Sequence, residues 1–424
     1  MATLVILVFV IGYLAIAFEH VIHLNKAAAA LLTGVLCWTA YILSGVHPEH
    51  AVEELLHHLG EISSILFFLL GAMTIVELID SHDGFAIITS RIKTRSKVKL
   101  LWIIAVLTFF LSSLLDNLTT AIVMTSLIGK MLEDKKDRLW FTGAIVIAAN
   151  AGGAFSPLGD VTTTMLWIGK QVTAQNIVLK VFLPSVFVCL VPILIISPRF
   201  RGQRFEAATG SGNTINPKES NLILVLGILL LLFVPVFKTL THLPPFMGIL
   251  LALGIVWVVV SAMHANKTSE EKTRLTVTHA LERVDTPSIL FFLGILLAVS
   301  AIQSFGLLQE LAGFFDSTLG NIYLTGTALG LVSAVVDNVP LVAAAQGMYS
   351  LETFPTDHLF WEFLALTTGT GGSAIIIGSA AGVAAMGIEQ IDFMWYLKKI
   401  SWIALAGFAA GILVFIAQAK LVTP

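Results

Sequence analysis

Apolar runs of about 20 residues recur along the whole chain, and each is long enough to cross a hydrocarbon core roughly 30 Å thick. Few folds are open to such a chain. In lipid every backbone N–H and C=O must find its partner inside the protein, so apolar helices packed side by side are the expected solution. Charged residues make up only 12% of the 424 residues, about half the share of an ordinary soluble domain, while 57% are apolar. That excludes a disordered chain, a disulfide scaffold and a typical soluble enzyme. The net charge of −3 gives no footprint for a nucleic acid. Cys37 and Cys189 both lie inside apolar runs and read as packing residues. Residues 1–18 are apolar with no preceding Lys or Arg, so they read as a retained first span, not a cleaved leader.

Spans are expected at 3–19, 27–45 and 62–80, then a long segment at 98–132, a second at 139–170 and a span at 177–197. The polar stretch 198–220 reads as a linker. The pattern then restarts, with spans at 221–239, 245–263 and 287–304, long segments at 320–351 and 358–388, and a last span at 393–418. Ahead of the third span, His47, His50, His57 and His58 lie among Glu49, Glu53, Glu54 and Glu61. Val52, Leu55, Leu56 and Leu59 there recur at helical spacing. This predicts an amphipathic helix on the membrane surface, with 268–285 as its cytoplasmic counterpart.

The restart is an internal repeat. Leu66-Phe67-Phe68-Leu69 returns as Leu290-Phe291-Phe292-Leu293, Asp116-Asn117 as Asp337-Asn338, and Gly152-Gly153 as Gly371-Gly372, at offsets of 224, 221 and 219. Cytoplasmic loops collect Lys and Arg. With the basic loop 91–99 inside, threading the spans leaves only Lys170, Lys180, Lys238 and Lys420 of the 24 basic residues outside, and both termini external. Each half then has an odd number of crossings, so the second is inserted upside down, as in many secondary transporters. The expected fold is an all-α polytopic membrane protein of two inverted repeats. Each repeat has five transmembrane helices, a re-entrant hairpin and a discontinuous helix. Residues 1–97 and 221–319 would form scaffold, and 98–198 and 320–424 would carry the site, with 199–220 a cytoplasmic linker.

The segment 98–132 would be about 52 Å long as one helix, so a hairpin with its tip at Asp116-Asn117 is expected, mirrored by Asp337-Asn338. Three glycines and Pro157 between Asn150 and Asp160 predict an unwound middle, as does the stretch from Thr367 to Ser373. A charge deep in lipid is costly, so Asp116 and Asp337 are the central candidates. As caps of their return helices they could be replaced by Ser or Asn without that cost. No Lys or Arg falls within either hairpin or either break, so the polarity suits a small cation or a proton. One buried carboxylate holds either of these, but not both well. Asn117 and Asn338 offer neutral oxygens or caps. Asn150, Ser156, Asp160, Thr367, Thr368 and Ser373 lie in or beside the breaks, as ligands or as groups bonding backbone. His82, flanked by Asp80 and Asp83 and with Glu77 one turn away, is a pH-sensing candidate, since nearby carboxylates favour the protonated ring. Glu19, His20 and His23 read as interfacial anchors.

The segments LLDNLTTAIVM, NAGGAFSPLGDVTTTMLW, FEHVIHLNKAAAALL and ELIDSHDGF resemble the NhaD family of sodium/proton antiporters, relatives of arsenite and dicarboxylate permeases. The resemblance implies Na⁺ or Li⁺ expelled in exchange for H⁺ without a cofactor, activity favoured at alkaline pH, and a bacterial inner membrane. It also implies a homodimeric scaffold with an elevator-like moving domain. The dicarboxylate branch carries Ser-Asn-Thr tips where this chain has Asp-Asn, which favours a cation. The alternatives are an anion permease of the same fold and an intramembrane metalloprotease, for which no HExxH is present.

Overall fold

The computed structural model describes residues 2–17, 22, 24–85, 92, 94–205, 216–265, 275–335 and 337–422. Glu19, His20, His23, Arg91, residues 206–215 of the linker and 268–274 lie outside them. The first half comprises α1 (Ala2–Ala17), α2 (Lys26–Leu43), α3 (Pro48–Ser81), α4 (Lys97–Leu115), α5 (Asn117–Met131), α6 (Lys135–Ala154), α7 (Val161–Ile168) and α8 (Ala174–Ile196). The second comprises α9 (Pro217–Thr241), α10 (Pro245–Met263), α11 (Val277–Arg283), α12 (Thr286–Ser304), α13 (Leu307–Leu319), α14 (Ile322–Val332), α15 (Asn338–Met348), α16 (Leu359–Gly371), α17 (Ala380–Glu389), α18 (Phe393–Lys399) and α19 (Ser401–Val422). Among the described residues α2, α3, α4, α8, α9, α10, α12 and α19 are long and apolar enough to span a membrane. Large side chains such as Leu229, Leu240, Val258 and Leu413 stand exposed around the outside, as a lipid-facing surface requires.

Both hairpins are present. α4 and α5 meet at Asp116, and the Lys97–Asp137 ion pair ties the start of α4 to the start of α6. The open end of this hairpin therefore sits where α6 begins. In the second hairpin the Tyr349 hydroxyl donates to Asp316 Oδ1 at 3.0 Å, joining the end of α15 to the end of α13. The side-chain amides of Gln346 and Gln171 meet at 2.8 Å, beyond the end of α7. The two hairpins thus enter from opposite ends of the α6–α7 broken helix. The α16–α17 helix runs the other way: Thr173 N donates to Asp357 Oδ1 at 2.6 Å at its start, and Arg138 pairs with Glu389 at 2.9 Å at its finish. These are inverted repeats in an all-α polytopic protein. The two broken helices form the centre. Every residue of α6 from Phe141 to Ala154 is buried, and every residue of α16 from Phe360 to Gly371.

Four expectations change. The histidine-rich stretch is no surface helix: α3 is one 34-residue helix, roughly 51 Å long, that carries the histidines on its first turns. Of its proposed counterpart, the described part contains only the seven-residue α11. α13 was not anticipated. The breaks come later than the glycines indicated, at 155–160 and 372–379, with Asn150, Gly152, Gly153, Thr367 and Thr368 still helical. The glycines serve close packing. A Cβ on Gly152 would lie 2.0 Å from Phe109 O, and one on Gly371 1.9 Å from Gly330 O. Each broken helix thus presses its glycine against the descending limb of its own hairpin, at matching places in the two halves.

Candidate functional site

The tips and breaks converge on one carboxylate. Asp160, in an extended conformation, caps α7: its Oδ1 accepts from Thr162 N and Thr162 Oγ1, both at 2.9 Å. Its Oδ2 accepts from Asn117 Nδ2 at 2.9 Å and from Asn338 Nδ2 at 3.4 Å. The first donor comes from the first hairpin and the second from the other, so Asp160 is the joint between the halves. Asn117 Nδ2 also donates to Asn150 Oδ1 at 3.1 Å. Asn150 Nδ2 in turn donates to Ser373 Oγ and Ser379 Oγ, each at 2.9 Å, carrying the network into the second break. With both amide nitrogens committed to Asp160, the Oδ1 atoms of Asn117 and Asn338 make no hydrogen bond among the described residues. Each leaves one neutral oxygen for a cation.

Asp116 caps α5 with both oxygens: Oδ1 accepts from Thr119 N and Oδ2 from Thr119 Oγ1, each at 2.8 Å. Its backbone stands at φ 84°, a region glycine prefers. Such strain costs on the order of 1–3 kcal/mol and persists only where the surroundings enforce it. Asp337 caps α15, accepting from Val339 N at 3.2 Å with an ordinary φ of −48°. Both tip carboxylates therefore cap their return helices. Asp116, Asp160 and Asp337 all line one small cavity of about 50 Å³, together with Asn117, Asn338 and Ser288.

Other candidates are placed differently. Thr367 Oγ1 and Thr368 Oγ1 donate back to Phe363 O at 3.0 Å and Leu364 O at 2.7 Å within α16, and neither lines the cavity. Ser156 Oγ accepts from Leu158 N at 3.3 Å inside its own turn. Ser373 takes part through Asn150 alone. His82 is buried: its Nδ1 meets Leu78 O at 2.7 Å and its Nε2 meets His264 Nε2 at 3.1 Å. Glu77 turns instead to Arg283 at 2.9 Å.

Three contributors escaped the sequence reading. The offset of 219 that relates the glycine pairs carries Asp160 onto Ser379, which caps α17 in the same way, so the signal was present. Tyr13 of α1 is buried within electrostatic reach of Asp337. Lys26, at the start of α2, lines the same cavity as the three carboxylates. It lies outside both hairpins and both breaks, so the rule that those segments hold no Lys or Arg did not expose it.

A family model described as the citrate transporter CitMHS matches residues 13–371. Sodium/proton antiporter 1 of Arabidopsis thaliana is 48% identical over 97% of this chain and 71% of its own, and sodium/proton antiporter 2 of the same plant 44% identical over 97% and 98%. The Na⁺/H⁺ antiporter NhaD of Alkalimonas amylolytica is 30% identical over 96% and 89%. Among solved structures, the YdaH transporter of Alcanivorax borkumensis superposes with a TM-score of 0.61 at 13% identity, covering 95% of this chain and 99% of that one, a likeness of fold alone. On these matches the chain belongs to the NhaD family of sodium/proton antiporters, within the wider citrate-transporter group.

Proposed function

We propose that the protein exchanges Na⁺, and Li⁺ with it, for H⁺ by alternating access, with Asp116, Asp160 and Asp337 sharing the ion and the proton. The observation that carries this is three carboxylates and two amide oxygens around one small cavity where inverted hairpin tips meet. Carboxylate and amide oxygens are hard donors suited to a small hard cation. The chemistry needs no cofactor and no covalent step. When H⁺ arrives at the shared acids the cation loses its counter-charge and leaves. Asn150, Ser373 and Ser379 hold the tips in register, and Ser156, Thr367 and Thr368 support the backbone of the breaks.

The domain reading follows the packing of α6, α7, α16 and α17 against the hairpins: 98–198 and 320–424 move, and 1–97 and 221–319 stay, paired with a second copy, in an elevator-like step across the lipid bilayer. The charge distribution supports external termini, periplasmic if the membrane is a bacterial inner membrane. The plant relatives support a plant membrane equally. The His82–His264 pair is the pH-sensing candidate, with Glu77 and Asp80 upstream on the helix that leads to His82 and both within reach of Arg283. The Nδ1 contact to Leu78 O makes Nε2 of a neutral His82 an acceptor, so the pair as it stands needs one neutral ring.

An anion permease is the second reading, favoured by the citrate-transporter description of the family model. Everted vesicles carrying a pH-sensitive dye separate the two. Na⁺ or Li⁺ addition is expected to move protons, while arsenite and dicarboxylates move none. Asp116→Asn and Asp337→Asn are each expected to abolish exchange while the protein stays in the membrane, and exchange retained in both removes them as carriers.

A further inference from the structure

We propose that the outer cavity between the still and the moving part binds an oxyanion, a carboxylate or phosphate group held by Lys170 and Lys238, and that this occupant pins the two parts in the present arrangement. The cavity measures about 450 Å³, a size typical of small-molecule sites. The charge distribution leaves only Lys170, Lys180, Lys238 and Lys420 outside, and two of these four come together here. Lys238 Nζ donates to Trp167 O at 3.0 Å, and the Lys170 backbone N donates to that same oxygen at 3.3 Å. Their ammonium groups lie within electrostatic reach of each other, and both side chains line the cavity. Neither pairs with a carboxylate among the described residues. Two like charges held this close repel, and an anion between them removes the repulsion. A lysine at a helix end ordinarily extends its head to the lipid headgroups. Lys238 turns inward instead, its Nζ 4.5 Å from the centre of the Trp167 ring, and caps the end of α7. That cap takes one of its three N–H donors and leaves two. Lys170 stands at φ 66°, a conformation glycine prefers at a helix end, so a charged side chain occupies a place where backbone geometry asks for none. Glu61, the one carboxylate lining the cavity among the described residues, faces His57 and His58 at 3.7 Å each. His58 and His242 are the remaining titratable groups of the lining.

This site is separate from the ion site. Asp160 caps the start of α7 and Lys238 its end, about 12 Å apart for a helix of eight residues. It also belongs to both parts of the protein. Lys238 lies on α9, in the part proposed to stay still, while Lys170 follows α7 in the part proposed to move. The two lysines are therefore neighbours only while α7 rests against α9. A ligand shifts an equilibrium only by binding one arrangement better than the other. An anion held by both lysines favours the present arrangement and slows exchange.

The pinning rests on the exchange proposed above, but binding is measured without transport, so the two fail separately. The full chain is placed in neutral phosphatidylcholine vesicles at fixed ionic strength without Na⁺, with citrate and inorganic phosphate as probes and binding read by calorimetry. Both probes are expected to bind wild type. Lys170→Gln and Lys238→Gln, the second keeping a donor for Trp167 O, are each expected to weaken binding about tenfold or more, the scale of one unit charge near a protein surface. Lys170→Arg should stay within about threefold, and Glu61→Gln should tighten binding several-fold. No binding of either probe, or binding that Lys170→Gln leaves unchanged, overturns the site. Lys170 is exposed, so that variant is expected to fold even if Lys238→Gln does not. Vesicles containing phosphatidylglycerol identify the source: citrate binding lost there assigns the site to a lipid headgroup, and citrate binding kept assigns it to a dissolved anion. Citrate added outside proteoliposomes should then slow Na⁺-driven proton flux in wild type, with about tenfold more needed in Lys170→Gln. Citrate that binds without slowing flux overturns the pinning, and wild type without Na⁺-driven flux sinks the exchange reading while the binding result stands.

Discussion

Replacing Asp160 by Asn tests the centre of the site, because the change keeps shape and removes charge. Asn caps helices well, so its Oδ1 would still accept from Thr162 N. Its Nδ2 would then stand where Oδ2 now accepts from Asn117 at 2.9 Å and Asn338 at 3.4 Å, placing donors against donors. A buried donor without an acceptor costs about 1–3 kcal/mol. Asn117 keeps Asn150 Oδ1 at 3.1 Å, so the two remaining donors cost together about 2–6 kcal/mol, at or below the low end of the usual 5–15 kcal/mol of folding stability. The variant should fold and reach the membrane. Binding suffers more. One unit charge removed about 4 Å from the ion, at an effective dielectric near 20, is worth about 4 kcal/mol, close to a thousandfold in affinity. Proton flux in proteoliposomes against Na⁺ concentration, normalised to protein in the membrane, is the assay. A Na⁺ KM within about threefold of wild type would show that Asp160 only braces the tips, and the reasoning from the hydrogen-bond hub would fail.

Gly152→Ala and Gly371→Ala each place a Cβ about 2 Å from a hairpin carbonyl, so both are expected to lower the melting temperature in detergent by several degrees or prevent folding. Gly60→Ala, with open space around it, should leave it unchanged or raise it slightly, and equal behaviour of all three would refute the packing argument. At low pH, protonating both His82 and His264 sets two like charges 3.1 Å apart and removes the acceptor between them, so exchange should fall as pH falls. His264→Gln keeps an acceptor that does not titrate and should extend activity to lower pH. A superimposable pH profile would acquit the pair.

The local features were legible because they are written in neighbouring residues. Asp116-Asn117 and Asp337-Asn338 announce hairpin tips by interrupting apolar runs that would otherwise overshoot the membrane. Glycine, by contrast, was misread: Gly152 and Gly371 look like helix breakers alone, and only a carbonyl from another helix 2 Å from their missing Cβ atoms explains them. The histidine-rich stretch followed the same pattern, since nothing in its composition distinguishes a surface helix from the first turns of a long one.

Sequence alone determined the class and the repeat and singled out the acids of the two tips as candidates, because bilayer thickness and the cost of a buried charge act on each segment by itself. Which acid is the hub, which amides point their nitrogens at it, and that a lysine from a distant helix enters the same cavity were decided by tertiary structure. Those facts depend on atoms up to 311 positions apart, Lys26 and Asp337, meeting in one small volume, and no local pattern encodes that distance.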